Sequence, residues 1–80
     1  MFSDFGRHTL VGDGRYDVST IGVGPLSIVP ETMIFDNEDG CSHYVRYHSR
    51  SADLNVEHEQ VCADFANGEI ELEYNDYEDE

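Results

Sequence analysis

Four histidines, two cysteines and eighteen acidic residues are the side chains of this 80-residue chain that could carry chemistry. Catalysis has little support, because no serine or cysteine nucleophile stands in a recognisable catalytic motif. Gly22-Val23-Gly24 lacks the third glycine of a dinucleotide-binding turn, and the chain has no lysine for a phosphate-binding loop. A walled pocket is also difficult to build from so few residues. The sequence therefore predicts a protein that is not an enzyme and uses no cofactor.

Cys41, His43, His58 and Cys62 are the residues that could bind a transition metal. Two thiolates and two imidazoles would suit tetrahedral zinc. Cys-x-His is an unusual zinc half-site, however, and His58 and Cys62 both fall on the apolar stripe of a predicted helix. The pattern favours a hydrogen-bonded core histidine and unpaired thiols over a disulfide or a metal centre. No metal ligand is predicted, and a small Cys/His metal protein stays as an alternative.

The carboxylates near the end of the chain have a regular spacing. Glu69, Glu71 and Glu73 alternate with apolar residues, which is the period of a strand with one buried face. We therefore predict a closing strand over residues 69–74 that displays its glutamates to solvent. Residues 75–80 are predicted to form a mobile acidic tail.

These glutamates are spaced like the phosphates of DNA. Alternate residues of a strand lie about 6.6–6.8 Å apart. Phosphates rise about 3.4 Å per nucleotide along the axis and lie nearly twice that distance apart along the winding backbone. A second row of carboxylates falls on one stripe of the predicted helix, at about 100° per residue. The residues predicted to bind a partner are these carboxylates and two tyrosines at the rim: Glu69, Glu71, Glu73, Asp76, Glu78, Asp53, Glu57, Asp64, Tyr74 and Tyr77.

The composition restricts the partner. The net charge is −14, and four arginines are the fixed cations. Direct binding to nucleic acid or to an anionic membrane is disfavoured, because both rely on Lys and Arg. The sequence has no membrane span and no signal peptide, so we expect a cytoplasmic monomer. Its natural partner is a basic protein surface.

The hydrophobic pattern predicts one small domain, residues 1–80, with an α+β fold. Strands are expected at residues 9–11, 15–21, 31–35 and 43–48, with a glycine-containing hairpin loop after the first. One helix is expected at residues 51–66, with Ser51 as its N-cap and Asn67-Gly68 as its stop. With the closing strand, this is an antiparallel sheet of about four to five strands covered by one helix.

Two resemblances add to this interpretation. From Tyr16 to Phe65 the chain resembles short phage-encoded open reading frames, and that resemblance implies phage origin and a sheet-plus-helix body but no function. The residues that carry it are Ser19-Thr20, Pro25-Leu26, Glu31-Thr32-Met33-Ile34-Phe35, Arg46-Tyr47 and His58-Glu59. By size and charge, without a shared motif, the chain is similar to anti-CRISPR proteins and other DNA-mimic inhibitors made by phages.

The second resemblance implies a non-catalytic inhibitor that acts in the bacterial host cytoplasm. Its partner would be the basic DNA-binding groove of a host nuclease or CRISPR effector protein, most specifically a CRISPR surveillance complex. The alternative is an acidic structural or accessory phage protein whose charge serves only solubility. Loss of DNA from the partner on binding would separate the two.

Overall fold

The computed structural model describes residues 5–25 and 28–74. Four strands and one helix follow in chain order: β1 Gly6–Val11, β2 Tyr16–Ile21, β3 Glu31–Asp36, β4 Cys41–Tyr47 and α1 Leu54–Ala66. The strands form one antiparallel sheet in the order β1-β2-β3-β4, and α1 packs on β1 and β2. The predicted α+β fold is therefore confirmed.

The turn between β1 and β2 explains how the sheet begins. Gly12, Asp13 and Gly14 all have positive φ angles, of 63°, 58° and 87°. Glycine adopts this left-handed conformation without steric cost, and aspartate tolerates it better than most residues. The Gly14 N–H then donates to the carbonyl of Val11 at 3.2 Å, which closes the predicted hairpin.

The apolar core between the sheet and the helix is small. Val18, Ile34 and Val61 are fully buried, and Ile70 is 9% exposed. Phe65 packs the edge of its ring against Tyr16, with ring centroids 5.2 Å apart. Burial of these side chains fixes the helix on one face of the sheet, because removing apolar area from water is the main favourable contribution to folding.

The ends of α1 differ in part from the prediction. The N-cap is Asp53 rather than Ser51, since the Asp53 carboxylate accepts hydrogen bonds from the N–H groups of Asn55 and Val56. At the other end Gly68 has a φ of 77° and donates to Phe65, while Glu69 donates to the carbonyl of Asp64 at 2.8 Å. This is a Schellman motif, and it confirms the predicted helix stop.

The predicted closing strand is wrong. Residues 69–74 do not take a regular strand conformation, although Ile70 and Leu72 do pack on the core and the three glutamates are exposed. The segment meets β4 through the Glu73 N–H, which donates to the carbonyl of His43 at 3.0 Å. The alternating pattern is satisfied by burial alone, because Ile70 and Leu72 pack on the core although the segment does not pair along β4.

In the described part of the chain, no helix is both long enough and apolar enough to span a membrane.

Candidate functional site

The clearest surface feature is the glutamate row, defined as Glu69, Glu71 and Glu73. All three are exposed, while the intervening Ile70 and Leu72 are buried and half-buried. The row starts directly at the Schellman motif that ends α1. No ion pair with another described residue engages these three carboxylates. The segment therefore presents three free charges from a backbone that is packed against the body.

The far end of the row is held by Tyr74. Its hydroxyl donates to Oδ2 of Asp36 at 2.6 Å, and Asp36 is only 1% exposed. Arg15 binds the same carboxylate with two hydrogen bonds of 2.9 Å, from Nε and Nη2. The hydrogen bonds from Arg15 and then Tyr74 hold the pKa of Asp36 well below its usual range. A buried, ionised Asp36 thus connects the end of the row to β3 and to Arg15 in the turn before β2.

His43 is the second contact that holds the row. It lies where the register of β4 against β3 shifts, between Tyr44 opposite Ile34 and Ser42 opposite Phe35. The His43 ring stacks on Tyr74, with centroids 3.9 Å apart and planes at 27°. An irregular position on β4 is what brings the ring next to the segment.

The hydrogen bonds of His43 determine its charge. Nδ1 lies 2.9 Å from the carbonyl oxygen of Glu73, and Nε2 lies 2.8 Å from Oδ2 of Asp39. Both partners only accept, so both hydrogen bonds form together only when the ring is an imidazolium. Burial opposes this charge, but the hydrogen bonds to Asp39 and Glu73 outweigh burial and raise the pKa of His43. We call Asp36, His43 and Tyr74 together the clamp.

The other predicted acids have internal partners. Asp53 caps α1, Glu57 lies 3.4 Å from Nδ1 of His48, and Asp64 pairs with Arg46 at 3.0 Å. Glu57 and Asp64 are only partly exposed, which corrects the expectation that the helix acids form a free row facing solvent. Their carboxylates instead fasten α1 and its flanks to the sheet.

Asp76, Tyr77 and Glu78, together with the tail predicted at residues 75–80, lie outside the described residues.

Every arginine is engaged within the molecule. Arg7 pairs with Glu59 at 2.9 Å, and Arg50 donates to the carbonyl of Ile28. Arg15 and Arg46 bind Asp36 and Asp64 as described above. All four arginines therefore bind partners within the molecule, and none of them pairs with the glutamate row in the described part of the chain.

A chain of buried polar groups, which sequence reasoning missed, crosses the layer between sheet and helix. Thr9 contacts Nε2 of His58 at 2.7 Å, and Thr20 contacts its Nδ1 at 2.7 Å. Thr20 continues to Thr32 at 2.6 Å, and Thr32 to Nε2 of His48 at 2.8 Å. The sequence feature that could have indicated this chain is a threonine at an inward-facing position on each of three neighbouring strands.

The geometry does not support a Cys/His metal centre. Thr9 and Thr20 occupy both nitrogens of His58, and Cys41 and Cys62 are free thiols. Of the described residues, one group of three possible ligands has atoms within 4.8 Å of one another: Asp36, Asp39 and His43. Their atoms are already hydrogen-bonded to Arg15, Tyr74, the Glu73 carbonyl and each other, which gives the group a structural role.

No protein-family model matches this chain, and no curated protein or solved structure shows a significant similarity to it.

Proposed function

We propose that this protein is a non-catalytic inhibitor that presents carboxylates in place of DNA phosphates and blocks the DNA-binding site of a basic protein. The observation that carries the proposal is the glutamate row, which is exposed and forms no ion pair with the residues in the ranges 5–25 and 28–74. The row is held at both ends, by Ile70 in the core and by Tyr74 on Asp36. Fixed charges bind a matching surface with a smaller loss of conformational entropy than mobile charges do.

The spacing of the row is compatible with this role. The Cα atoms of residues i and i+2 lie no more than about 7 Å apart. Neighbouring phosphates along one DNA strand have a similar separation. Lys and Arg side chains that grip phosphates at that interval can therefore reach successive glutamates. The carboxylate oxygens would accept the same charge-assisted hydrogen bonds as phosphate oxygens do.

The field of the whole protein favours such a partner. The net charge of −14 attracts a basic groove and accelerates encounter, while the row supplies the fixed geometry. The resemblance by size and charge to phage anti-defence proteins directs the proposal to host defence complexes in the bacterial cytoplasm. A CRISPR surveillance complex is the first target to test, and a restriction endonuclease is the second.

The test is a competition experiment with a matched control. A purified surveillance complex is loaded with fluorescently labelled target DNA, and the protein is added while anisotropy is recorded. The row variant carries Glu69→Gln, Glu71→Gln and Glu73→Gln. The control variant carries Asp13→Asn, Glu38→Gln and Glu59→Gln, which removes the same charge from three exposed positions elsewhere.

We expect the wild type and the control variant to displace DNA. The row variant should lose roughly tenfold to a hundredfold in potency, since three charged contacts of about 0.5–1 kcal/mol each are removed. Displacement should also weaken steeply as salt rises. An equal loss of potency in both variants would mean that the total charge, and not the position of the glutamate row, determines DNA displacement. No displacement from any DNA-binding defence complex would leave the charge as a solubility feature, as in an acidic accessory protein.

A further inference from the structure

The outer edge of β4 is only partly covered. β4 is the last strand of the sheet, and in the described ranges 5–25 and 28–74 the chain meets its outer side through Glu73 at His43. The His48 N–H donates inward, to the carbonyl of Pro30 on the β3 side, at 2.9 Å. Because backbone groups alternate in direction along an antiparallel strand, those of Val45 and Tyr47 point outward.

The side chains on this edge are exposed as well. Val45 is 41% exposed and Tyr47 is 64% exposed. Sheet edges are usually protected by lysine, proline or a covering element, because unpaired N–H and C=O groups pair readily with another strand. The one charged residue between them, Arg46, turns to Asp64 on the helix side. This part of β4 is therefore an open pairing edge.

A groove beside the edge indicates which partner fits. Its volume is about 470 Å³, and it lies between β4 and the C-terminal segment. The groove is lined by Ser42, His43, Tyr44, Val45, Glu71 and Glu73. Neither Glu71 nor Glu73 forms an ion pair with another described residue, and both share the groove with Tyr44 and Val45. This lining suits a side chain with an alkyl stem and a positive end. A second copy of this chain would bring a charge of −14 to the same place and would be repelled.

We propose that the edge of β4 from Tyr44 to Tyr47 pairs with an extended basic segment of the partner, and that the groove receives one of its arginine or lysine side chains. The basic character of the partner rests on the proposed function, whereas the pairing rests on the open edge. Backbone hydrogen bonds would supply affinity, and the contact with Glu71 and Glu73 would select for positive charge.

The experiment uses the full chain labelled with ¹⁵N and a six-residue probe peptide that alternates arginine and valine. We expect amide shifts at Val45 and Tyr47, and slower hydrogen exchange of the same two amides when the probe is bound. A probe with citrulline in place of arginine keeps the shape without the charge and should bind more weakly. A probe with N-methyl groups on one edge should lose the exchange protection.

Two protein variants complete the test. Val45→Pro removes an outward N–H while leaving the pairing of β4 with β3, and Val45→Thr keeps that N–H. Glu71→Gln with Glu73→Gln should weaken the arginine probe by about fivefold at most per carboxylate and leave the citrulline probe unchanged. If Val45→Pro unfolds the protein, the N-methylated probe tests the pairing on the wild-type chain.

The proposal is overturned if the arginine probe binds without protecting Val45 and Tyr47, since charge alone then explains the binding. It is also overturned if the protein self-associates through this edge in sedimentation experiments. Failure of DNA displacement together with protection of the two amides would reject the proposed function and retain the pairing edge. The reverse result would retain the glutamate row and reject the edge.

Discussion

At the scale of single residues, His43 is the side chain whose protonation matters most to the glutamate row. Its two ring nitrogens face the Glu73 carbonyl and the Asp39 carboxylate. Asp36 adds negative charge from β3, and Arg15 offsets part of it from the turn before β2. A neutral ring can donate only one of the two hydrogen bonds. Loss of the proton would therefore break one contact of the clamp.

We predict that His43→Gln is most destabilising at acidic pH. The folded pKa is raised above the ordinary value of 6.5. The stabilisation is therefore complete below pH 6.5 and is lost as the pH rises through the folded pKa. The free energy of unfolding in urea, measured from pH 6 to pH 9 for wild type and variant, should show a difference that shrinks with pH. A constant difference would contradict an imidazolium at this position.

The two buried histidines act in the opposite direction. Burial lowers the pKa of His48 and of His58 below 6.5, so the unfolded chain binds protons more readily. Their contribution to stability is present above pH 6.5 and declines as the pH falls from there toward the folded pKa values. We predict that the free energy of unfolding of the His43→Gln variant falls more steeply from pH 7 to pH 5 than that of the wild type. An equal slope in the wild type and the variant would contradict this prediction.

At the scale of elements, the start of the glutamate row depends on Gly68. A Cβ at this position would meet nothing within 4 Å, so a substitution acts through the backbone conformation alone. We predict that Gly68→Ala costs about 1–2 kcal/mol, because the φ of 77° is left-handed. Gly68→Asn should cost less, since asparagine tolerates this conformation. Chemical denaturation measures both, and equal costs would show that backbone strain is not the cause.

The elements that local pattern specifies were predictable. The strands predicted at residues 15–21 and 31–35, the Gly12–Gly14 turn and the apolar stripe of α1 all depend on residues close in sequence. The N-cap was misassigned because both Ser51 and Asp53 are good caps, and only the folded helix start chooses between them. The closing strand was wrong for a different reason: a period of two reports alternating burial, which a chain can satisfy without pairing to a neighbour.

The clamp could not be predicted from local pattern. Acidic residues are exposed by default, and Asp36 stands in a turn-like run of acids. Its partners Arg15 and Tyr74 are separated from it by 21 and 38 residues. No local pattern brings three such distant positions together, so the burial of Asp36 appears only in the fold. The exposed glutamates, by contrast, were correctly placed because their alternation alone determines which way they face.

At the scale of the whole molecule, charge opposes folding and, in the proposed function, favours binding. Screening acts on both, with a Debye length that falls from about 10 Å at 0.1 M salt to about 3 Å at 1 M. We predict that the melting temperature rises with sodium chloride, because self-repulsion at a net charge of −14 is reduced more than the few arginine ion pairs are weakened. Calorimetry in increasing salt measures this. A falling melting temperature would mean that the ion pairs dominate.

The buried polar groups form a chain that runs from Thr9 through His58, Thr20 and Thr32 to His48. This chain has a consequence for how the sequence can evolve. Removing one partner leaves the next group without a hydrogen bond, at a cost of about 1–3 kcal/mol. Replacing hydrogen-bonded partners together by apolar groups can be nearly neutral. A substitution at any one of these positions therefore destabilises the protein unless its hydrogen-bonded neighbours also change. In sequences that share ancestry with this chain, the five positions should be inherited and exchanged as a set.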